Sequence, residues 1–252
     1  MVINLKKFFP KKNLLTGKNI LISGANSGIG REAAITFAQY GAKTILLGRK
    51  EKDLEKVYEL IIKKKYPEPL IHTIDFESSE IEDYIDIYKA IHSEYGRLDG
   101  LLNNASILGE KKSISQYSFS TWRSVMSINV DSVFLLTQSL LPLLELSDNA
   151  SIIFTSANEG KIGKAYWGAY SVSKFATEGL MQILADELEH TSSIRVNSIN
   201  PVAVKSKLRK KAFPAEDPNS VPLPKDFIKL YLYLISDLSK ECKGKSIDVQ
   251  IV

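Results

Sequence analysis

The chain has 252 residues, of which 44% are apolar and 25% are charged, so its composition is that of an ordinary soluble protein with one large α/β domain or two small ones. Its single cysteine, Cys242, excludes an internal disulfide and indicates a reducing, cytoplasmic compartment. We find no apolar run of the ~18 residues needed to cross a membrane, and a net charge of +4 does not by itself indicate nucleic-acid binding.

Short apolar runs alternate with helical patterns along the whole chain. Strands are predicted over residues 19–23, 43–47, 70–74, 98–102, 151–155, 194–199 and 246–251, and helices over 28–40, 54–61, 81–88, 121–144, 169–189 and 227–235. This alternation predicts a parallel sheet with helices on both faces. The right-handed crossover rule makes it a doubly wound sheet, whose ligands bind outside the carboxyl ends of the strands.

The chain shows no internal repeat and no low-complexity linker, which favours a single domain over residues 15–252. Residues 1–14 are basic and are expected to form a solvated lead-in, although contact with a membrane or a partner is the alternative. The helix over residues 169–189 is expected to have its apolar side formed by Val172, Ala176, Leu180, Ile183 and Leu184.

Three glycines lie between the first predicted strand and the first predicted helix. Gly24 permits a tight turn, Gly28 lets the backbone approach a pyrophosphate, and Gly30 lets the helix pack against the sheet. Free amides and the helix dipole favour an anion at this point. The spacing therefore predicts a dinucleotide-binding turn, with a glycine-rich turn that binds nothing as the alternative.

Tyr170 and Lys174 are four residues apart and are predicted to share one face of a helix. A tyrosine hydroxyl normally titrates near ~10, and an ammonium one helical turn away favours the phenolate. We therefore expect the pKa of Tyr170 to be lowered, which would make it a proton donor or acceptor near neutral pH. Two surface residues with no chemical role are the alternative.

Taken together, these motifs resemble the short-chain dehydrogenase/reductase family over nearly the whole chain, from about Leu15 to the C-terminus. The matching segments, in family order and spacing, are Ser23-Gly-Ala-Asn-Ser-Gly-Ile-Gly30, Asn103-Asn-Ala105, Asn129-Val130, Tyr170-x-x-x-Lys174 and Asn200-Pro201. The chain is most similar to an enterobacterial subgroup known only as oxidoreductases. The resemblance implies a single-domain Rossmann-like sheet, a nicotinamide cofactor, and hydride transfer to or from a small-molecule carbonyl or alcohol.

The cofactor implied by the resemblance is NADP(H). Gly48 stands where an NAD-preferring site places a carboxylate after the second strand, and Arg49 follows it. A guanidinium binds phosphate bidentately, so Arg49 is expected to contact the 2′-phosphate; a surface arginine at a helix start is the alternative. The remaining cofactor-binding residues implied by the resemblance are Gly24, Asn26, Ser27, Gly28, Ile29, Gly30, Asp75, Asn103, Ala105, Tyr170, Lys174, Pro201 and Ser206.

By the same resemblance, the catalytic residues would be Tyr170, Lys174 and Asn129. Tyr170 would exchange the proton, Lys174 would lower its pKa and hold the nicotinamide ribose, and Asn129 would hold a water that relays protons; a satisfied packing residue is the alternative for Asn129. The family serine thirteen residues before the tyrosine is replaced by Ala157. Ser156 and Trp167 are the neighbouring residues expected to line the substrate pocket.

Two hypotheses follow for function. The first is a working NADP(H)-dependent oxidoreductase, and the second is a cofactor-binding regulatory or structural protein whose chemistry is impaired by Ala157. The basic run over residues 205–211 falls in the segment that covers the substrate in the family, so a preference for an anionic substrate or for the cofactor phosphates is a further hypothesis. A homodimer or homotetramer is expected, nucleic-acid binding and a membrane span are not, and the three scattered histidines argue against a metal site.

Overall fold

The centre of the fold is a parallel sheet with strand order β3-β2-β1-β4-β5-β6-β7, shown by a computed structural model that describes residues 8–249. The strands are β1 (Asn19–Ser23), β2 (Lys43–Gly48), β3 (Leu70–Thr73), β4 (Gly100–Asn103), β5 (Ser151–Thr155), β6 (Arg195–Asn200) and β7 (Lys245–Asp248). The predicted doubly wound sheet is confirmed. The last strand ends earlier than predicted, and residues 250 and 251 of the predicted strand lie outside the described residues.

Helices cover both faces of the sheet, as predicted. They are α1 (Gly28–Gln39), α2 (Glu51–Lys63), α3 (Ile81–Tyr95), α4 (Phe119–Met126), α5 (Ser132–Glu145), α6 (Gly168–Leu188), α7 (Lys207–Ala212) and α8 (Pro224–Ile235). Successive side chains of a strand point to opposite faces, so Ile20 and Ile22 pack with α1, α2 and α8, whereas Leu21 packs with α3, α5 and α6.

The long helix predicted over residues 121–144 is interrupted. A π-helical turn, Ser127–Asp131, separates α4 from α5 and contains Asn129. A π-turn adds one residue to the helical path and occurs frequently at functional sites. Periodicity alone does not reveal such an insertion, because the apolar pattern continues on both sides of it.

The combined helix Phe119–Glu145 is long and apolar enough to cross a membrane by length and composition, although polar residues interrupt its apolar sequence. Half of its most apolar window is buried inside the protein. Leu136, Leu140 and Leu143 of this helix pack in the core beneath the sheet, which is the environment of a core helix.

The predicted apolar side of α6 is partly wrong. Val172 and Ile183 are 43% and 59% exposed, while Ser173 and Thr177 are buried. These buried hydroxyls donate to backbone carbonyls of their own helix, Ser173 to Tyr170 at 2.7 Å and Thr177 to Ser173 at 3.0 Å. The helix therefore turns its small polar residues inward and leaves an apolar strip exposed.

Part of the predicted lead-in packs on the domain. Phe8 lies edge-on to Tyr233 of α8, with ring centroids 5.6 Å apart, and Leu14 packs against the core cluster. Leu15, the predicted first residue of the domain, is completely buried.

Candidate active site

The segments that follow β1, β2, β3, β4, β5 and β6 meet at the carboxyl edge of the sheet and enclose one large cavity. Its volume is about 490 Å³, in the range of small-molecule and cofactor sites. The predicted site residues that line it are Gly24, Asn26, Ser27, Gly28, Ile29, Arg49, Asp75, Ala105, Ser156, Ala157, Trp167, Tyr170, Lys174, Pro201 and Ser206. Gly30, Asn103 and Asn129 are absent from this lining.

The glycine turn has the open backbone that a phosphate needs. Gly24 and Gly28 have φ values of +67° and +56°, which favour glycine. A Cβ at Gly28 would have the Ser206 side chain, 3.9 Å away, as its nearest neighbour, whereas a Cβ at Gly30 would lie 2.3 Å from the Gly24 carbonyl oxygen. Gly28 thus faces the cavity. Gly30 permits a close contact between the start of α1 and the turn at Gly24, whereas the sequence predicted that it lets the helix pack against the sheet.

The loop after β4 is held against the glycine turn by Ser23. The Ser23 hydroxyl accepts hydrogen bonds from the backbone N–H groups of Asn104, at 2.9 Å, and Ala105, at 3.0 Å. Asn103 lies behind this loop, where its side-chain amide donates to Thr137 at 2.9 Å. Asn103 is therefore a structural support, and Asn104 and Ala105 form the cavity wall.

Arg49 and Asp75 face each other across the end of the cavity near β2. The Arg49 guanidinium and the Asp75 carboxylate are 4.0 Å apart and are 58% and 41% exposed, respectively. Asp75 also accepts a hydrogen bond from the Glu77 N–H at 3.2 Å. A pair this loose and exposed is weak, which leaves the guanidinium available to an anion.

Tyr170 and Lys174 lie together at the other end of the cavity, in the first turns of α6. Their side chains are buried, at 6% and 4% exposure. The Lys174 Nζ lies 5.7 Å from the centre of the Tyr170 ring and donates to the Thr155 carbonyl oxygen at 2.8 Å. Within residues 8–249, the Tyr170 hydroxyl has no hydrogen-bond partner, so it is free to meet a ligand.

The sequence predicted a lowered pKa for Tyr170, and this prediction is wrong. Burial raises the pKa of Tyr170 above its ordinary value, and the nearby Glu159 carboxylate raises it further. Burial also lowers the pKa of Lys174 to about 8, against an opposing effect of Glu178. Desolvation penalises the charged form of each group, and it is the largest cause of both shifts.

Both polar atoms of the Asn129 side chain form hydrogen bonds with neighbouring residues. Its Oδ1 accepts from the Ile107 N–H at 2.8 Å, and its Nδ2 donates to the Ile107 carbonyl at 2.9 Å and to the Ser173 hydroxyl at 3.0 Å. Both amide N–H donors are thus occupied. Asn129 ties the loop after β4 to α6, one residue before Lys174.

Ala157 belongs to a small buried cluster that also contains Leu108, Trp167, Tyr170 and Ala212. The Ser156 hydroxyl is buried, and it has no hydrogen-bond partner among the described residues. The same is true of the hydroxyl of Ser106, which also lines the cavity. Buried hydroxyls are normally paired, and these two lack a partner among the described residues.

The segment after β6 passes over the cavity. It begins at Pro201 and Val202, and Val202 has a left-handed φ of +58°, which is rare for a β-branched residue. Ser206 then caps α7 by accepting a hydrogen bond from the Arg209 N–H at 3.0 Å. The segment brings Ser206 next to Gly28. It also brings Phe213 next to Trp167, and the centroids of these two rings are 5.7 Å apart.

The family profile described as short chain dehydrogenase matches residues 18–217. The chain belongs to the short chain dehydrogenase family. Its relatives include the uncharacterized oxidoreductase YciK of Escherichia coli K12, which is 45% identical over 96% of this chain and 95% of that protein. The predicted resemblance to an enterobacterial subgroup of oxidoreductases is therefore confirmed.

Two solved structures of similar short chain dehydrogenases contain the phosphorylated cofactor. One, from Shigella flexneri and complexed with NADP, is 45% identical, covers 94% of this chain and 99% of that one, and has a TM-score of 0.92. The other, from Escherichia coli CFT073 and complexed with NADPH, is 45% identical, covers 96% of this chain and 100% of that one, and has a TM-score of 0.93.

Two residues that line the cavity, Glu159 and Phe213, were not predicted from the sequence. Glu159 lines the cavity near Tyr170 and has a loose ion pair, 3.9 Å, with Lys164. Phe213 packs on Trp167 from the segment above. Glu159 could have been noticed from its place two residues after Ala157, at the carboxyl end of β5, whereas nothing in the sequence places Phe213 over the cavity.

The residues of the cavity fit a phosphorylated dinucleotide. The turn at Gly28 leaves room for a backbone approach by an anion, the Arg49 guanidinium is exposed, and the Ser106 and Ser156 hydroxyls lack partners within the described part of the chain. These features run from the carboxyl end of β2 to the carboxyl end of β5, so they span the point where the strand order reverses.

Proposed function

We propose that the protein is an NADP(H)-dependent oxidoreductase that acts on a carbonyl or alcohol compound. The observation that carries the proposal is one cavity with an open glycine turn and Arg49 at one end and the Tyr170 hydroxyl beside Lys174 at the other. Among the described residues, this hydroxyl has no hydrogen-bond partner. The complexes of similar short chain dehydrogenases with NADP and NADPH support the choice of cofactor.

The phosphates would lie on the turn at Gly24 and Gly28, with Asn26, Ser27 and Ile29 beside them. Arg49 would hold the 2′-phosphate, and Asp75 would contact the adenine. The nicotinamide end would lie along Ala105, Pro201 and Ser206, where the Ser206 hydroxyl would meet the carboxamide. Gly30 and Asn103 would act from behind, by holding the turn and the loop after β4 in place.

When bound, the nicotinamide would supply or accept the hydride. Tyr170 would donate a proton to the substrate oxygen, and a raised pKa keeps its hydroxyl protonated through neutral pH. This protonation state is the one that carbonyl reduction needs. Lys174 would place a positive charge beside the phenol and bind the nicotinamide ribose.

Asn129 would act mainly by holding the loop after β4 and α6 in place. Because both of its amide N–H donors are occupied by Ile107 and Ser173, a water that relays protons would need a partner other than these side-chain N–H groups. Ser156 and Trp167 would line the substrate side, together with Ala157.

The direct test combines binding and turnover. Titration of NADPH should enhance or quench its fluorescence and give a saturable curve, and a panel of ketones and aldehydes should contain at least one compound whose addition oxidises NADPH. If neither NADPH nor NADH binds at millimolar concentrations, the proposal is wrong.

Replacing Arg49 by Ala should weaken NADPH binding by about 10- to 100-fold, the worth of a charge-assisted hydrogen bond to phosphate. Affinity for NADH, which lacks the 2′-phosphate, should not change. Fluorescence titrations of both cofactors measure this, with Lys52→Ala on the exposed side of α2 as the matched control. Equal losses for NADPH and NADH would contradict the assigned role.

The rate of carbonyl reduction should fall as the pH rises through about 8. Lys174 is charged below its lowered pKa of about 8 and neutral above it, and the positive charge beside Tyr170 is lost with its proton. Since kcat/KM reports the groups of the free enzyme, its pH profile should show one descending limb there. A profile that is flat from pH 6 to 9.5 would contradict this use of Lys174.

We also propose a homodimer or homotetramer formed through α5 and α6. Phe134 of α5 and Val172, Phe175 and Ile183 of α6 are 46%, 43%, 45% and 59% exposed, and an exposed apolar strip of this kind marks an interaction surface. Light scattering should give a mass of two or four chains.

The second candidate is a cofactor-binding protein with little chemistry, favoured by one observation. Ala157 offers no hydrogen-bond donor where the family uses a serine. In this case NADPH would bind normally, and the whole carbonyl panel would be turned over slowly or not at all.

A further inference from the structure

The basic run over residues 205–211 places one lysine, Lys207, in the lining of the cavity. Lys207 is the first residue of α7, and it shares the lining with Arg49, Lys50 and Asp53, which follow β2. The sequence left open whether this run favours an anionic substrate or the cofactor phosphates. The position of Lys207, at the end of the cavity away from Tyr170, favours the phosphates.

Ser206 fixes the point from which the Lys207 side chain extends. A Cβ placed on Gly28 would have the Ser206 side chain as its nearest neighbour, 3.9 Å away. Ser206 is itself held in place, because its hydroxyl accepts a hydrogen bond from the Arg209 N–H at 3.0 Å. Lys207 therefore leaves the chain one residue after the point where the segment after β6 meets the glycine turn.

The charge of Lys207 acts on the first turn of α2. The largest cause of the lowered pKa of Asp53 is the hydrogen bond from the Lys56 ammonium, at 2.9 Å, and the charges of Lys207 and Lys50 lower this pKa further. Charges on exposed groups are largely screened beyond about 10 Å. The Lys207 ammonium therefore lies near the turn that follows Arg49.

The Lys207 ammonium is available to a ligand. Within residues 8–249 it forms no hydrogen bond and no ion pair. The other cation of the run that lines the cavity, Arg209, binds the Glu216 carboxylate through two hydrogen bonds of 2.6 and 2.8 Å. The free positive charge that the run brings into the cavity is thus that of Lys207.

Positive charge exceeds negative charge around the β2 end of the cavity. The charged groups there are four cations and two carboxylates, namely Arg49, Lys50, Lys56 and Lys207 with Asp53 and Asp75. Asp53 is engaged by Lys56, and the pair between Arg49 and Asp75 is loose, at 4.0 Å. A surface of this charge attracts a phosphate dianion, and it gives no such advantage to a neutral ribose hydroxyl.

We propose that Lys207 binds the 2′-phosphate of NADP(H) together with Arg49, so that one cation comes from the segment after β6 and one from the loop after β2. Because Lys207 belongs to the segment that passes over the cavity, the phosphate would tie this segment to the end of β2. NAD(H) lacks the phosphate and would leave the segment untied there. The inference rests on the proposed function, since it adds a specificity-determining residue to the same cofactor site.

Two adenosine fragments test this contact without any turnover. Adenosine 2′,5′-bisphosphate carries the 2′-phosphate, and adenosine 5′-monophosphate lacks it. In calorimetric titrations, Lys207→Gln should weaken binding of the bisphosphate by about 5- to 10-fold, the lower range for a charge-assisted contact because the lysine is exposed. Binding of the monophosphate should not change. Lys210→Gln, on the same helix but outside the cavity lining, should change neither.

Further variants separate the charge of Lys207 from a structural role. Lys207→Arg should retain the affinity for the bisphosphate. Rising salt should weaken its binding to the natural protein more than to Lys207→Gln, because salt screens the attraction that the variant lacks. A protein with both Arg49→Ala and Lys207→Gln should bind NADPH and NADH about equally, as measured by fluorescence titration.

The possible results distinguish this inference from the proposed reaction. Equal losses for the two fragments would place Lys207 on the diphosphate and overturn the inference, and so would no loss for either. Oxidation of NADPH by a carbonyl compound alongside such a result would leave the proposed function intact. A loss confined to the bisphosphate, with no turnover of any carbonyl compound, would support the role of Lys207 and overturn the proposed reaction.

Discussion

Replacing Tyr170 by Phe should lower kcat for carbonyl reduction by about 10²- to 10⁴-fold, the usual contribution of a positioned general acid. The phenylalanine ring retains the packing against Trp167 and removes the one group in the apolar cluster that is placed to donate a proton. Affinity for NADPH should change little, because the glycine turn and Arg49 are at the other end of the cavity. Single-turnover rates and NADPH titrations measure the two effects separately.

The fold should tolerate this change. The Tyr170 hydroxyl has no hydrogen-bond partner within the described residues, so its removal breaks no structural contact, and the melting temperature should stay constant. Tyr166→Phe is a matched control four residues earlier, at a side chain that is 60% exposed; it should have full activity. Normal turnover by the Tyr170→Phe protein would show that a different group supplies the proton.

Strands such as β1 and β5 could be predicted from the sequence because buried apolar residues form most of each one. The bounds predicted for β1 and β5 agree with the structure, Asn19–Ser23 and Ser151–Thr155, since strands of a parallel sheet are buried on both faces. The glycine turn was also predictable. Its function depends on backbone shape, and glycine spacing reports that shape directly.

Features that depend on burial or on long-range contacts were not predictable. The apolar side assigned to α6 was partly wrong because Ser173 and Thr177, although polar, are buried with their hydroxyls bonded to backbone carbonyls of the same helix. The direction of the Tyr170 pKa was wrong because spacing gives the distance to Lys174 but not the loss of solvent around both groups.

The substrate end of the cavity was the least predictable part. Phe213 is more than forty residues from Tyr170 in the chain and reaches it only through the segment after β6. The pairing of Arg209 with Glu216 likewise neutralises one of the cations of the basic run. Both results come from how one loop folds back, for which local sequence carries no periodic signal.

Replacing Ala157 by Ser should raise kcat for carbonyl reduction by about 10²- to 10³-fold if the natural protein lacks a donor to the substrate oxygen, because loss of one such donor typically costs this much. Ala157 is 9% exposed and belongs to the same cluster as Tyr170. A serine hydroxyl there would therefore lie in the apolar wall around the phenol. Ala157→Cys, similar in size but a poor donor, controls for volume.

The outcome decides between the two candidate functions. A large gain with Ser and none with Cys would mean that the natural chain is a cofactor-binding protein with impaired chemistry. Similar, substantial turnover by the natural protein and by Ala157→Ser would mean that Tyr170 alone stabilises the developing charge, or that a neighbouring hydroxyl does so. The variant Ser156→Ala then separates these two cases. The Ser156 hydroxyl is buried without a partner among the described residues. A loss of rate on its removal would therefore assign it the role of the missing serine.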